Sequence, residues 1–171
     1  IIKDLEKTGD GCAKVNYRLR DWLISRQRYW GTPIPVVYCN SCGEVPVSED
    51  SLPVTLPYDV EFKLQGDSPL RRHAGFMNTT CPKCGGPAER DPDTMDTFVD
   101  SSWYYLRYLN PKFKDGMIDT TLTDKWSPVD MYIGGREHSV MHLLYARFVH
   151  KFLMDIGLVK TPEPFMRLVH Q

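Results

Sequence analysis

No apolar run in the 171 residues is long enough for a helix to cross a bilayer, which removes the membrane-spanning classes and leaves a soluble protein as the expectation. The N-terminus, Ile1-Ile2-Lys3-Asp4, carries neither a signal peptide nor an initiator Met, and the chain ends abruptly on Leu168-Val169-His170-Gln171. Both ends suggest a piece cut from a longer chain. Net charge is nearly absent too: 21 Lys and Arg oppose 22 Asp and Glu, so nothing global announces a nucleic acid or a membrane surface. The cysteines do not form the dense pattern of a secreted disulfide scaffold. There are five, and four of them fall in two Cys-x-x-Cys pairs, a spacing that suits a metal and a reducing cytoplasm or organelle matrix. With 42% apolar residues the chain is not disordered and can fill a core, in one domain or one and a half.

The charge that is present is unevenly spread. Between Lys14 and Trp30, the residues Lys14, Arg18, Arg20, Arg26 and Arg28 face Asp21 alone, with Tyr17, Trp22, Tyr29 and Trp30 among them. Such a block can meet phosphate, although any one of these arginines is as readily a salt-bridged surface residue. Cys39-Asn40-Ser41-Cys42-Gly43 and Cys81-Pro82-Lys83-Cys84-Gly85-Gly86 each read as a zinc knuckle, with two thiolates on the metal and a glycine that permits the tight turn. Together Cys39, Cys42, Cys81 and Cys84 complete a tetrahedral structural zinc site; empty or oxidised cysteines are the alternative. The interval between the knuckles has only scattered apolar residues, such as Leu64 and Phe76, so the metal is expected to hold it. Cys12 has no partner nearby and reads as a small buried apolar residue.

Taken in order, Ile2 to Lys7 reads as a short helix stopped by Thr8-Gly9-Asp10-Gly11. Asp21 is placed to cap a helix running to Tyr29, after which Gly31, Pro33 and Pro35 force the chain into a strand over Ile34 to Tyr38. Met95 to Val99 reads as a strand and Ser101 to Tyr108 as a helix, capped by Asp100 or Ser101. Lys112 to Lys125 is a polar loop with room for a short helix capped by Asp119 or Thr120. Leu158 to Lys160 can start a strand, and Thr161-Pro162-Glu163-Pro164 turns the chain before Phe165 to His170.

The most informative stretch is Tyr132 to His142, Tyr-Ile-Gly-Gly-Arg-Glu-His-Ser-Val-Met-His. Val129 to Ile133 looks like the end of a buried strand, and the apolar spacing from His138 to Met154 predicts a long helix ended by Gly157. Strand, Gly-Gly, helix is a ligand-binding corner: glycines let a ligand approach the backbone, and the helix N-terminus offers free N–H groups. A nucleotide suits it, with Glu137 accepting from ribose hydroxyls and His138 and His142 projecting into the same space. The corner after Met95 to Val99 is expected to face a shared crevice with it, as corners at the carboxyl ends of parallel strands do. An ordinary turn and two hydrogen-bonded, half-buried histidines are the plain alternative.

Trp22-Leu23-Ile24-Ser25-Arg26-Gln27-Arg28-Tyr29-Trp30-Gly31-Thr32-Pro33-Ile34-Pro35 resembles the motif shared by the class I aminoacyl-tRNA synthetases for leucine, isoleucine and valine. Asp93-Thr94-Met95-Asp96-Thr97-Phe98 with Asp100-Ser101-Ser102-Trp103-Tyr104-Tyr105, and Tyr132-Ile133-Gly134-Gly135 with Glu137-His138 and Met141-His142-Leu143-Leu144-Tyr145, look specifically like the bacterial or organellar leucyl-tRNA synthetases. The resemblance covers nearly the whole chain. It implies an α/β fold, the second half of a Rossmann-like catalytic core interrupted by a small zinc-ribbon-like insertion. Residues 1–35 would connect from an upstream editing insertion and start the half-core, 36–90 would be the zinc-binding insertion, and 91–171 the half-core itself. It also implies a ligase that activates leucine with ATP, with Mg²⁺ in the complete enzyme, and passes it to tRNA(Leu). The enzyme would be monomeric, with the remaining synthetase domains as partners and no membrane. By the same resemblance Gly134, Gly135 and Glu137 would lie against the adenosine of ATP. Phe98, Ser101, Tyr104, Tyr132, His138 and His142 would line the leucine pocket, and Arg18, Arg20, Arg26 and Arg28 would meet tRNA phosphates. No residue is expected to act as a covalent catalyst. The family's His-x-Gly-His and Lys-Met-Ser-Lys-Ser strings do not occur here, so this chain alone is expected to lack the activation step.

Two other classes compete. A zinc-ribbon nucleic-acid-binding module explains the cysteines and the basic block but leaves both strand-to-helix corners idle. A zinc hydrolase built on His138 and His142 has a metal pair's helical spacing, yet Glu137 stands outside the pair and no third ligand suggests itself.

Overall fold

In a computed structural model, which describes residues 1–18, 21–62 and 66–171, the chain opens with helix α1 (Ile2–Thr8), closed by Gly9 at φ 78°. It continues through β1 (Ser25–Arg26), β2 (Val36–Cys39) and β3 (Gly43–Pro46), then crosses 3-10 turns at Glu49–Ser51 and Pro69–Arg72 into α2 (Ala74–Met77). Three short strands return, β4 (Asn78–Thr80), β5 (Pro87–Arg90) and β6 (Thr94–Met95). The remainder holds α3 (Thr97–Ser101), α4 (Tyr104–Arg107), α5 (Thr120–Trp126), β7 (Tyr132–Gly134), a 3-10 turn at Arg136–Val140, α6 (His142–Asp155) and β8 (Leu168–His170). No helix among the described residues is long and apolar enough to cross a membrane.

The strands form a four-stranded antiparallel sheet in the order β3-β2-β5-β4 and two smaller pairs, antiparallel β1-β6 and parallel β7-β8. Alternation along β2 turns Val37 and Cys39 inward and Tyr38 outward, and the buried set Val37, Cys39, Val45, Cys81 and Ala88 is the core of that sheet. The interval between the knuckles also has a cluster of its own, contrary to the expectation of scattered apolar residues. Leu70, Phe76 and Met77 close on Tyr29 with Val54, Leu56 and Val60 beside them, and the Tyr29 hydroxyl donates to the Pro57 carbonyl at 2.7 Å. Tyr29 arrives from outside that interval, which is why composition within it understated the packing. A third cluster, Tyr105, Leu106, Ile118, Leu153 and Val159, joins α4 and α6 under β7 and β8.

A parallel pair needs a crossover, and α6 supplies it between β7 and β8, where Tyr132 pairs with Leu168 and Gly134 with His170. Several predicted elements differ from those observed. No helix runs from Asp21 to Tyr29; Ser25 and Gln27 are tied by their side chains to Asp93 and the segment pairs with β6 instead. The strand at Met95 stops there, because the Asp96 carboxylate accepts the Phe98 N–H and starts α3 four residues earlier than the predicted helix at Ser101. The helix after Ser101 is split: the buried Ser102 hydroxyl donates back to Phe98 O, and Trp103 at φ −140°, ψ 4° leaves the helical region before α4. The long helix begins at His142 and not at His138, since Met141 at φ −122°, ψ −108° interrupts the ladder after a 3-10 turn. Ile133 is 59% exposed, because β7 pairs with β8 alone among the described residues and nothing described covers that face. Leu158 to Lys160 forms no strand, and Val159 packs on the helices. Cys12 is exposed, in a stretch where no described residue between 10 and 18 is buried. The Asp119 cap on α5 and the turn into β8 are as expected.

Candidate functional site

The four cysteines of the two knuckles meet at the end of the four-stranded sheet. Gly43 and Gly85, each following a second cysteine, sit at φ 73° and 72°, and Gly85 N–H donates to Cys81 O at 2.8 Å to close its turn. The Sγ atoms of Cys39, Cys42, Cys81 and Cys84 all lie within 4.8 Å of one another, and Cys39 and Cys84 are 3.7 Å apart. A tetrahedral zinc with sulfur at about 2.3 Å has a sulfur–sulfur edge of about 3.8 Å, so the donor set fits that ion in chemistry and in size. All four are free thiols rather than disulfides. Burial pushes the Cys81 thiol up, but the N–H groups of Cys84 and Lys83 outweigh it and bring it down to about 7, whereas the Cys84 thiol and burial push Cys42 up to about 12, so Cys81 rather than Cys42 is the thiolate of the pair.

The second constellation is the corner that follows β7. The Tyr132 hydroxyl stands between the Tyr104 hydroxyl and His142 Nε2, 2.8 Å from each. Tyr132 also stacks on Phe165 at 4.1 Å, and His138 meets His142 edge to face at 6.0 Å, so the broken helix still brings the two imidazoles together. Burial and the hydroxyl of Tyr104 push the Tyr132 phenol up, and burial with the nearby His138 pushes His142 down. Near neutral pH Tyr132 is therefore a protonated phenol and His142 a neutral imidazole. Two buried polar atoms here, His138 Nδ1 and His142 Nδ1, have no partner among the described residues, and neither has the buried Ser101 Oγ at the end of α3. A neutral imidazole has one donor and one acceptor nitrogen, so Nδ1 of His142 offers a ligand whichever role Nε2 does not play. Gly134 has open space where a side chain would stand, whereas at Gly135 a Cβ would come within 2.5 Å of the Glu137 carboxylate carbon. Glu137 thus folds back over Gly135.

Phe98 reaches the same region through α6, and Ser101 lies at the end of the same helix α3. The Phe98 ring lies 5.2 Å from Tyr145, three residues after His142, and Tyr104 lies 6.2 Å from His142. The two corners share one face, joined by side chains the sequence did not single out: Tyr145, Trp22 stacked on it at 4.1 Å, and Asp96. All three stand within the motifs quoted above, though without a role; the Asp-Thr-Phe order also has the form of an N-cap, while the Trp22 to Tyr145 stack leaves no local signal.

The arginines divide. Arg18 is exposed, and Arg20 lies outside the described residues. Arg26 is ion-paired to Asp96, and Nε and Nη2 of Arg28 are buried without a partner among the described residues. Burial alone would raise the Asp96 carboxyl, but the Phe98 N–H, the Trp22 indole and the charges of Arg26 and Arg28 hold it below the usual carboxylate range.

A third histidine is fully satisfied. His150 is buried, its Nε2 donating to Thr161 O at 2.9 Å and its Nδ1 accepting from Tyr105 at 2.9 Å, and burial holds its pKa below the ordinary 6.5. Because the unfolded chain takes up that proton first, stability from His150 is full above about pH 6.5 and is lost as pH falls through the folded value. Urea midpoints are expected to drop between pH 7.5 and 5.5, and His150→Gln should flatten that part of the profile. An unchanged slope in the variant would remove His150 as the cause.

The pattern for tRNA synthetases class I (I, L, M and V) matches residues 13–167. Leucine–tRNA ligase of Caldanaerobacter subterraneus subsp. tengcongensis is 61% identical over all 171 residues, and that of Thermosipho melanesiensis 63%. The leucine–tRNA ligase subunit alpha of Aquifex aeolicus is 62% identical, with the chain covering 27% of it. The chain spans about a fifth of the length of the first two, 21% of each. Among solved structures, LeuRS of Agrobacterium radiobacter K84 (agnB2), in a ternary complex with tRNA and LeuAMS, superposes with a TM-score of 0.94 at 49% identity, over 99% of this chain and 22% of that one. A match over 155 of 171 positions (13 through 167), together with that shared fold, establishes that the chain belongs to the tRNA synthetases of class I (I, L, M and V).

Proposed function

We propose that this chain is the part of a leucine–tRNA ligase that carries the leucine pocket, the adenosine corner and a zinc-binding insertion. The observation that carries this reading is the cluster around β7, where Tyr104, Tyr132 and His142 are hydrogen-bonded in a row and Gly134 and Gly135 stand at the carboxyl end of the strand. Ligands of open α/β sheets bind in that position. Residues 1–35 then serve as the connector and the start of the half-core, 36–90 as the zinc-binding insertion and 91–171 as the Rossmann-like half-core. The β7-α6-β8 crossover supports the last of these and the closed cysteine cluster the second.

In the complete protein the leucine carboxylate attacks the α-phosphorus of ATP and pyrophosphate leaves; the terminal ribose hydroxyl of tRNA then attacks the acyl carbon and AMP leaves. Positioning carries much of this catalysis. Gly134 and Gly135 admit the adenosine to the backbone, and Glu137, already over Gly135, turns outward to take the ribose hydroxyls. Phe98, Ser101, Tyr104, Tyr132, His138 and His142 surround the leucine side chain, where a neutral His142 suits an aliphatic group. Mg²⁺ would neutralise the ATP phosphates, and zinc, held by the four cysteines, would brace the insertion. In this reading the exposed Arg18, and Arg20 outside the described residues, would meet tRNA phosphates, while Arg26 and Arg28 direct part of their charge to Asp96. The zinc-ribbon module is not favoured, since relatives match the whole chain and not the cysteine region alone.

Amino-acid-dependent exchange of pyrophosphate into ATP by the complete protein tests the reading. Leucine is expected to drive the exchange well above isoleucine or valine, and the 171-residue chain alone is expected to give none. Exchange driven best by isoleucine or valine would overturn it.

A further inference from the structure

Asp96 stands where three parts of the chain meet. Its N–H donates to Ile24 O at 2.7 Å, extending the β1-β6 pair by one bond. Its Oδ1 accepts from Phe98 N at 3.1 Å and starts α3, while its Oδ2 takes both the Trp22 indole N–H at 3.2 Å and the Arg26 guanidinium. Trp22 in turn stacks on Tyr145 of α6 at 4.1 Å and 22°, and Phe98 packs on the same Tyr145 at 5.2 Å. The contacts form a closed ring, Asp96 to Trp22 to Tyr145 to Phe98 and back to Asp96. Helix α3 has five residues, too few to hold itself by its own ladder, so its cap decides where Phe98 and Ser101 point.

We propose that Asp96 is a positioning residue for leucine selection, holding Phe98 and Ser101 at the pocket wall by clamping the start of α3 to the Trp22–Arg26 segment. This rests on the leucine pocket described under the proposed function. Asp96 touches no substrate itself. Without it the α3 cap, the indole hydrogen bond and the partner of Arg26 are lost together, and the wall carrying Phe98 shifts while the Gly134–Gly135 corner, on a different strand, stays where it is. Any strain on residues 22–26 is passed to the pocket wall by the same route.

The test uses the complete, zinc-loaded protein and leucine-dependent pyrophosphate exchange. Asp96→Ala is expected to raise the leucine KM by about tenfold or more with the ATP KM nearly unchanged, because a misplaced wall forfeits contacts made only with the amino acid. Asp96→Asn, whose single amide oxygen can still cap α3 but whose NH2 would face the Trp22 indole and Arg26, is expected to fall between the parent and Asp96→Ala. Trp22→Phe keeps a ring on Tyr145 and removes only the indole donor; an intermediate rise in leucine KM is expected, and this variant decides the matter if Asp96→Ala does not fold. A lower melting temperature with unchanged leucine KM in Asp96→Ala, or in Trp22→Phe where that stands in, would overturn the positioning role, provided Phe98→Ala raises the KM. If Phe98→Ala and His142→Ala also leave leucine KM unchanged, the pocket reading fails and takes this role with it.

Discussion

Cys81→Ser is expected to release the zinc and unfold the four-stranded sheet while leaving the helical cluster around Leu106 and Leu153 intact. The core of that sheet is Val37, Cys39, Val45, Cys81 and Ala88. Two of those five belong to the proposed zinc set, so the apolar remainder is two valines and an alanine, far too little to hold four strands against their conformational entropy. A structural zinc contributes about 10–16 kcal/mol in peptides of comparable size, which makes the metal the main bond between β2 and the knuckle before β5. The Cys12→Ser variant, outside the cluster and exposed, is expected to keep a full zinc equivalent. Metal content by atomic absorption and amide exchange in residues 36–90 check both. Full zinc retention in Cys81→Ser, or a disulfide between Cys39 and Cys42 in freshly reduced protein, would contradict the assignment.

His142→Ala, in the complete protein, is expected to lower kcat/KM for leucine by about 10- to 100-fold, the cost of about 1–3 kcal/mol attached to a misfit pocket wall. The imidazole is buried and bonded to Tyr132, so removing it opens a cavity and leaves the hydroxyl pair of Tyr132 and Tyr104 without its third member. Selection between leucine and isoleucine should fall as well. The ATP KM is expected to move by less than about threefold, because in the proposed reading the nucleotide meets the backbone of Gly134 and Gly135 and not the His142 side chain. Zinc content should not change. A variant in which ATP KM rises as much as leucine KM would show that His142 serves the whole corner and not the amino-acid side.

The parts of the fold written locally in the chain were legible. Gly9 ends α1, Asp119 caps α5, and Gly43 and Gly85 shape the turns of the two Cys-x-x-Cys strings, because each depends on residues within one turn; the meeting of the two strings was legible from the ligand chemistry of four thiolates instead. Elements decided by distant partners were not. The stretch from Asp21 to Tyr29 has helix-like spacing, but Asp93 and Asp96, some seventy positions on, hold its side chains in a strand pair. The break at Met141 is likewise invisible to periodicity, since the His138 to Met154 pattern continues in phase across it. The site fared better than the elements beneath it: His138 and His142 meet although they do not share a helix, because a 3-10 turn leading into α6 still places both rings at its N-terminal end. What the sequence withheld was the support, Trp22, Asp96 and Tyr145, whose contacts join three separate regions of the chain.

The most direct measurement is a crystal structure of the complete protein with a non-hydrolysable leucyl-adenylate analogue. Its isobutyl group is expected among Phe98, Tyr104, Tyr132 and His142, with a polar atom of the ligand or an ordered water on His142 Nδ1, its adenine ring along Gly134 and Gly135, and its ribose hydroxyls on a Glu137 carboxylate swung away from Gly135. An analogue bound with its aliphatic group elsewhere, or with Glu137 still folded over Gly135 and no contact to the ribose, would contradict the assignment of this corner.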